Sequence, residues 1–195
     1  MAVLALVGAA VWFFFLRESA PLGGGREAPA FAFDLRNVSS VAVDGKAPKE
    51  TLDRAARGVG ATLNAMYSAA FVDPGKWEGG EFPEVLEAFG GQAATVAQED
   101  LPDLTLGPAS SDVDFVKPDR SLLDVQFLLG RTKQPFAAVA TTTFRATGQL
   151  ADGRRLLITH RGRYIMRRIE GAWLIVSYEV DGKLRPAKPL PEGSP

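Results

Sequence analysis

The hydrophobic pattern changes character twice along this chain. "MAVLALVGAAVWFFFL", Met1 to Leu16, is apolar without a break. Beyond Pro48, the apolar positions Leu52, Ala56, Val59, Leu63, Met66 and Ala70 recur at intervals of 4, 3, 4, 3 and 4, which draws one stripe down a helix. From Asp112 onward the pattern alternates with a period of two, the mark of half-buried strands.

The helical stretch runs from Lys49 to Phe71, behind a proline suited to a first turn. Gly58 and Gly60 lie inside it. Each lowers helix stability by about 1 kcal/mol, which is tolerable where another element packs close. Asp73-Pro74-Gly75 and Gly79-Gly80 break the pattern. Short helices are predicted at Phe82–Phe89 and Gln92–Asp100, and "LPDLTLGPASS" reads as a loop. Ahead of the long helix, Phe31–Val43 alternates loosely and reads as a short strand.

In the second half, "VDFVKPDRSLLDVQFLLG" reads as two strands joined at "KPDR". Leu123, Val125, Phe127 and Leu129 then share one face, which sends Asp124 to solvent. "PFAAVATTTFRATGQL" is a further long strand, and Asp152-Gly153 is a hairpin signal. Glu170-Gly171 marks the last turn before "WLIVSYEV". Helices followed by four or five antiparallel strands predict an α+β domain with its helices on one sheet face.

Composition narrows the function classes. The net charge of −1 argues against a nucleic-acid binder. Zero cysteines exclude disulfides, thiolate nucleophiles, Cys-ligated metal and a lipid-modified cysteine anchor. The apolar run at 1–17 is read as an uncleaved single-pass transmembrane anchor. As a helix its 16 apolar residues would span about 24 Å at about 1.5 Å per residue, slightly short of a hydrocarbon core about 30 Å thick. The competing accounts are a signal-peptide core, for which Pro21 after Ala20 is an awkward cleavage site, and a buried helix. Residues 18–30 form a Gly/Pro-rich linker, 31–184 the folded domain and 185–195 a Pro-rich tail. The domain is expected outside the cytoplasm, at the cell membrane.

Together, the long first helix, the short helices after "DPGKW" and the ending "GRYIMRRIEGAWLIVSYEV" resemble the nuclear transport factor 2-like (NTF2-like) family. That family includes ketosteroid isomerases, SnoaL-type cyclases and, in actinobacteria, membrane-anchored proteins of the Mce-associated type. The resemblance covers about Lys49 to Val180. It implies a cone in which helices pack on a curved sheet, and it leaves function open, since the fold hosts enzymes, carriers and structural domains.

The only histidine, His160, sits in "RRLLITHRGRYIM". Alternation points Leu156, Ile158, His160, Gly162, Tyr164 and Met166 inward. His160 and Tyr164 are then interior polar groups roughly 13 Å apart along the strand, too far for a direct hydrogen bond. As a ligand pocket they would be joined by Tyr178 and Tyr67, with Trp173. The competing account is a core histidine satisfied by a hydroxyl or backbone partner. Ala138, Ala140 and Ala146 either leave a cavity or let helices approach closely. No phosphate loop, dinucleotide fingerprint or nucleophile triad appears, and neither cofactor nor metal is expected. Asp73 and Glu78 in the turn are the remaining candidate acids for an isomerase- or dehydratase-like enzyme.

Outward, the same strand presents Arg155, Arg161, Arg163 and Arg167, within a run of six arginines in 15 residues. Such a strip suits an acidic envelope protein, a homodimer or an anionic surface. The competing account is a solvated face paired with Glu170 and Glu179. The expected function is a non-catalytic, membrane-tethered binding or scaffold domain of a bacterial envelope complex; the alternatives are a carrier of an apolar molecule in the cone and the enzyme.

Overall fold

A computed structural model of the chain describes residues 31–42, 45–77 and 81–187. All of these fall in the unit Phe31–Pro195. The proposed anchor at 1–17, the linker at 18–30, Glu78 and the end of the tail lie outside the described residues. Among the described residues no helix is long and apolar enough to cross a membrane.

The domain is α+β: a five-stranded sheet in the order β1-β2-β3-β4-β5, with helices against one face. Strand β1 (Asp34–Val41) is followed by α1 (Lys49–Tyr67), α2 (Pro83–Leu86), α3 (Gln92–Glu99) and α4 (Leu101–Leu104). Strands β2 (Val113–Leu129), β3 (Pro135–Leu150), β4 (Arg155–Ile169) and β5 (Ala172–Pro186) complete the sheet. The last three pairings are antiparallel, but β1 lies parallel to β2, from Asp34 opposite Leu122 to Val41 opposite Leu128. The wholly antiparallel sheet expected from sequence is therefore corrected. The helices form the crossover that a parallel pair requires.

Two further expectations change. "KPDR" does not separate two strands; β2 runs through it with a register shift between Pro118 and Arg120. Pro118 lies beyond the reach of β1, on a stretch of β2 paired only with β3, and Asp119 is taken up as a bulge. "LPDLTLGPASS" is helical rather than looped: α4 is followed by a 3₁₀ turn at Gly107–Asp112. Both hairpin signals hold, with Gly153 at φ +84° and Glu170 and Gly171 at φ +50° and +92°. Strand β5 continues through Arg185 and Pro186, opposite Leu157 and Leu156.

Helix α1 begins after Pro48, as its spacing predicts, and buries Ala56, Val59, Leu63 and Met66 against the sheet. A π-helical turn, Ser68–Val72, extends it. Tyr67 and Phe71, four residues apart and so on one helix face, have their rings 5.4 Å apart and both face the interior. Gly58 faces Trp173 closely; a Cβ there would meet the indole Cδ1 at 2.7 Å. Ala138, Ala140 and Ala146 on β3 are fully buried among this packing. The outer edge of β5 is covered where Gly90 N–H donates to the Ile175 carbonyl (2.9 Å) and Ile175 N–H to that of Ala88 (2.9 Å).

The two helix glycines separate packing from propensity. Gly58→Ala is expected to cost about 1–3 kcal/mol through overpacking against Trp173. Gly60→Ala, whose nearest neighbour is Leu123 Cδ2 at 3.9 Å, is expected to gain up to about 1 kcal/mol. Chemical denaturation of both variants checks this.

Candidate functional site

Strand β4 alternates as its sequence predicts. Ile158, His160, Gly162, Tyr164 and Met166 are buried, while Arg155, Arg161, Arg163, Ile165 and Arg167 are exposed. His160 is 1% exposed and Tyr164 and Tyr67 are 0%. These three meet at one atom. The Tyr67 hydroxyl lies 2.8 Å from His160 Nδ1, 3.0 Å from the Tyr164 hydroxyl and 2.7 Å from the Thr142 hydroxyl.

Gly162 makes the convergence possible. The Tyr164 ring folds back along β4 over Gly162, so close that a Cβ there would sit 2.3 Å from Tyr164 Cε2 and 2.5 Å from its hydroxyl. Tyr164 thereby covers most of the separation from His160, and Tyr67, arriving from the end of α1, closes the rest. Thr142, opposite Gly162 across the β3–β4 ladder, was missed in the sequence. Its signal was there: alternation through "ATTTF" puts the middle threonine inside.

One proton arrangement satisfies every hydroxyl. Gly162 N–H donates to Thr142 (3.1 Å); Thr142 and Tyr164 donate to the Tyr67 oxygen; Tyr67 donates to Nδ1. The proton of the neutral imidazole then sits on Nε2, which has no hydrogen-bond partner. Nε2 lies on the ring edge facing Gly182, where a Cβ would be 3.3 Å from both His160 Cδ2 and the Asp103 carbonyl oxygen. Burial pushes the His160 pKa down to about 4; the Asp103 carbonyl and the Asp181 charge offset part of this. Burial also raises both Tyr67 and Tyr164 far above the ordinary tyrosine range. The cluster is therefore neutral at physiological pH. It joins α1 to β3 and β4.

Tyr178 stands apart. It is the cross-strand neighbour of Tyr164, but its hydroxyl donates to the Asp100 carboxylate at 2.8 Å. Its ring meets Phe89 edge-on at 5.2 Å. It lines a surface depression of about 210 Å³ with Gln92 and Val96. Trp173 stacks towards Phe127 at 5.7 Å, and the Thr62 hydroxyl donates to its carbonyl (2.9 Å). Asp73 accepts from Gly75 N–H (3.1 Å) and so caps its own turn. Asp124 faces outward and pairs with Arg36. Among the described residues no group of three or more His, Asp or Glu is placed to hold a metal ion.

A depression of about 530 Å³ is lined by Trp77, Phe82, Leu101, Pro102 and Thr105. It lies between the turn after α1 and the segment around α4. The Thr105 hydroxyl bonds the Leu101 carbonyl (2.7 Å) and the Ser110 hydroxyl that of Gly107 (2.8 Å), so the wall hydroxyls are already engaged.

On the outer sheet face Arg163 stands opposite Glu179, and Arg161 opposite Asp181. Among the described residues Glu170 and Glu179 make no ion pair; Asp181 pairs instead with Lys183 at 3.0 Å. No family model, curated protein or solved structure matches the chain.

Two measurements probe the interior. His160 is neutral in the fold below its unfolded pKa of 6.5, so the unfolded state takes up a proton that the fold refuses. Stability is expected to fall by about 3 kcal/mol as pH drops from about 6.5 to about 4 and to gain no further slope from this group below that. In His160→Gln, which keeps an acceptor for Tyr67, that part of the slope disappears from a pH series of denaturant melts. Gly162→Ala is expected to cost about 2–4 kcal/mol by displacing the Tyr164 ring. In a Tyr164→Ala background the same change costs far less, which a double-mutant cycle reads directly.

Proposed function

We propose that the chain is a non-catalytic binding or scaffold domain, tethered to a bacterial membrane by its apolar segment at 1–17 and acting in an envelope complex through its outer sheet face. The observation that carries this reading is the division of polar groups across the sheet. The interior polar residues are sealed and mutually bonded, whereas Arg155, Arg161, Arg163 and Arg167 all stand exposed on the other side. Exposed Leu128, Leu157 and Ile165 lie on the same face. Arginine interspersed with aliphatic side chains is the composition of a recognition surface. The order of elements, a long first helix, short helices and long hairpin-linked strands, supports an NTF2-like cone, with β1 as a parallel addition at its edge. The domain is placed outside the cytoplasm by analogy with short N-terminal anchors.

The carrier reading rests on a different place. The depression walled by Trp77, Phe82 and Leu101 is about 530 Å³, within the size range of small-molecule sites. An apolar molecule would bind there rather than beside His160.

Photo-crosslinking in the native membrane distinguishes these readings. A crosslinker at position 163 is expected to trap a partner; one at Glu50, in the first turn of α1, is not. Changing Arg161, Arg163 and Arg167 together to Glu, with the crosslinker at Ile165, is expected to abolish the adduct and leave the thermal melt within about 0.5 kcal/mol of the parent. Equal adducts from both faces, or adducts that survive charge reversal, would refute the outer face as the binding surface.

A further inference from the structure

The chain's net charge of −1 conceals a separation of charge by layer. Residues 45–112, which include all four helices, carry eleven acidic and five basic side chains, a net of −6. Residues 113–187, which form β2 to β5, carry seven acidic and thirteen basic, a net of +6. The positive charge is not confined to the strip on β4. Strand register brings it together across four strands. Arg120 on β2 is directly opposite Arg145 on β3; Arg145 is opposite Thr159, and Thr159 opposite Lys183. One row over, Thr143, Arg161 and Asp181 are aligned, and on the other side Leu157 is aligned with Arg185.

These rows enclose a groove of about 310 Å³ whose charged lining is Arg145, Arg161, Lys183, Arg185 and the single carboxylate of Asp181. Asp181 is engaged by Lys183 at 3.0 Å. Arg145, Arg161 and Arg185 have no ion-pair partner among the described residues. Like charges placed directly opposite on neighbouring strands, as Arg120 and Arg145 are, cost stability, and nothing in the fold requires arginine at an outward strand position. Arg163 and Arg167 lie outside the groove: Arg163 lines a separate depression with Asp124, Asn37 and Ser39.

We propose that this groove is a binding site for a phosphate group, carried either by a lipid headgroup or by a soluble phosphate. The inference rests on the reading of the outer sheet face as the binding surface. Three unpaired guanidinium groups around one depression exceed what a carboxylate, with two oxygens, can engage. A terminal phosphate, as in a monoester or a pyrophosphate, presents three non-bridging oxygens and takes bidentate arginine contacts on more than one side. The Thr143 side chain in the lining adds a hydroxyl of the kind that binds phosphate, whereas the Thr159 hydroxyl already donates to the Lys183 carbonyl at 3.3 Å.

The test uses the full chain in nanodiscs of phosphatidylcholine, titrated with inorganic pyrophosphate and followed by phosphorus NMR line broadening. Saturable broadening is expected. R145E/R161E is expected to weaken it at least about tenfold, the scale of a lost charge-assisted bond, while R54E/R57E, the same charge change at exposed positions of α1, changes it less than twofold. If R145E/R161E fails to fold, R145Q/R161Q replaces it. No saturable binding by the parent chain, or equal losses in the two pairs, overturns the site. So does a glutamate-rich peptide that binds as tightly as pyrophosphate, which would assign the groove to an acidic protein. Adding phosphatidic acid, whose phosphate is a terminal monoester, to the nanodisc identifies the source: competition with pyrophosphate supports a headgroup, and undiminished pyrophosphate binding supports a soluble phosphate. If pyrophosphate fails while the adducts from position 163 persist, the phosphate site falls and the binding face stands. If both fail, both readings fall.

Discussion

The Tyr67 hydroxyl is the junction on which the arrangement of helix and sheet depends. It is one atom at the end of α1, and its three hydrogen-bond partners come from β3 and from two positions of β4. A buried hydroxyl without partners is costly, and a buried network is worth keeping only when its members are satisfied. That condition fixes the rotation of the helix terminus, the register of Thr142 opposite Gly162 and the direction of the Tyr164 ring at the same time. A π-helical turn, Ser68–Val72, follows immediately, and Phe71 within it is buried beside Tyr67. Around the polar cluster the packing is aromatic: Phe71 and Phe144 lie 4.9 and 5.5 Å in ring separation from His160 and Tyr67 respectively. These rings surround the imidazole with apolar surface, and that burial is why it is held neutral.

Those constraints bear on the two accounts of His160. An imidazole that serves as a base on a substrate needs a free nitrogen in a space the substrate can enter. The free nitrogen exists, since Nε2 is unpartnered, but it faces the Asp103 carbonyl across Gly182 on a side chain almost wholly removed from solvent. None of the four cavities described above is lined by His160, Tyr164 or Tyr67. The geometry is that of a histidine holding a helix to a sheet.

Much of this was legible in the sequence, for physical reasons that also mark where legibility stops. Strict alternation from Arg155 to Arg167 assigns both faces of β4, because a pleated strand offers each residue only two directions. The stripe from Leu52 to Ala70 and the two Gly-containing hairpins are equally local. Three features are not local. The parallel pairing of β1 with β2 joins segments some 88 residues apart, as the Arg36–Asp124 contact shows, and no short-range pattern encodes it. "KPDR" carries turn chemistry that tertiary pairing overrode, leaving a bulge. The cluster itself required knowing that a tyrosine can lie along its own strand, for which the glycine two residues earlier was the available sign.

The same division between local and non-local explains the outer face. Folding demands only that outward strand positions be compatible with water; threonine, lysine and glutamate satisfy that demand as well as arginine. The choice among them is free of the core, so it is where a sheet protein with a sealed interior has room to encode recognition. Reading β4 alone singles out four arginines as one strip. The registers divide them: Arg161 joins Arg145, Lys183 and Arg185 around one groove, while Arg163 stands among Asn37, Ser39 and Asp124. A strip would act as a diffuse field, screened over about 8 Å at physiological salt. Cations drawn from three neighbouring strands onto one depression act instead at hydrogen-bonding distance, where the geometry of the anion matters. The sheet, by setting neighbouring strands about 4.8 Å apart, converts scattered positions in the chain into a site whose selectivity depends on shape as well as charge.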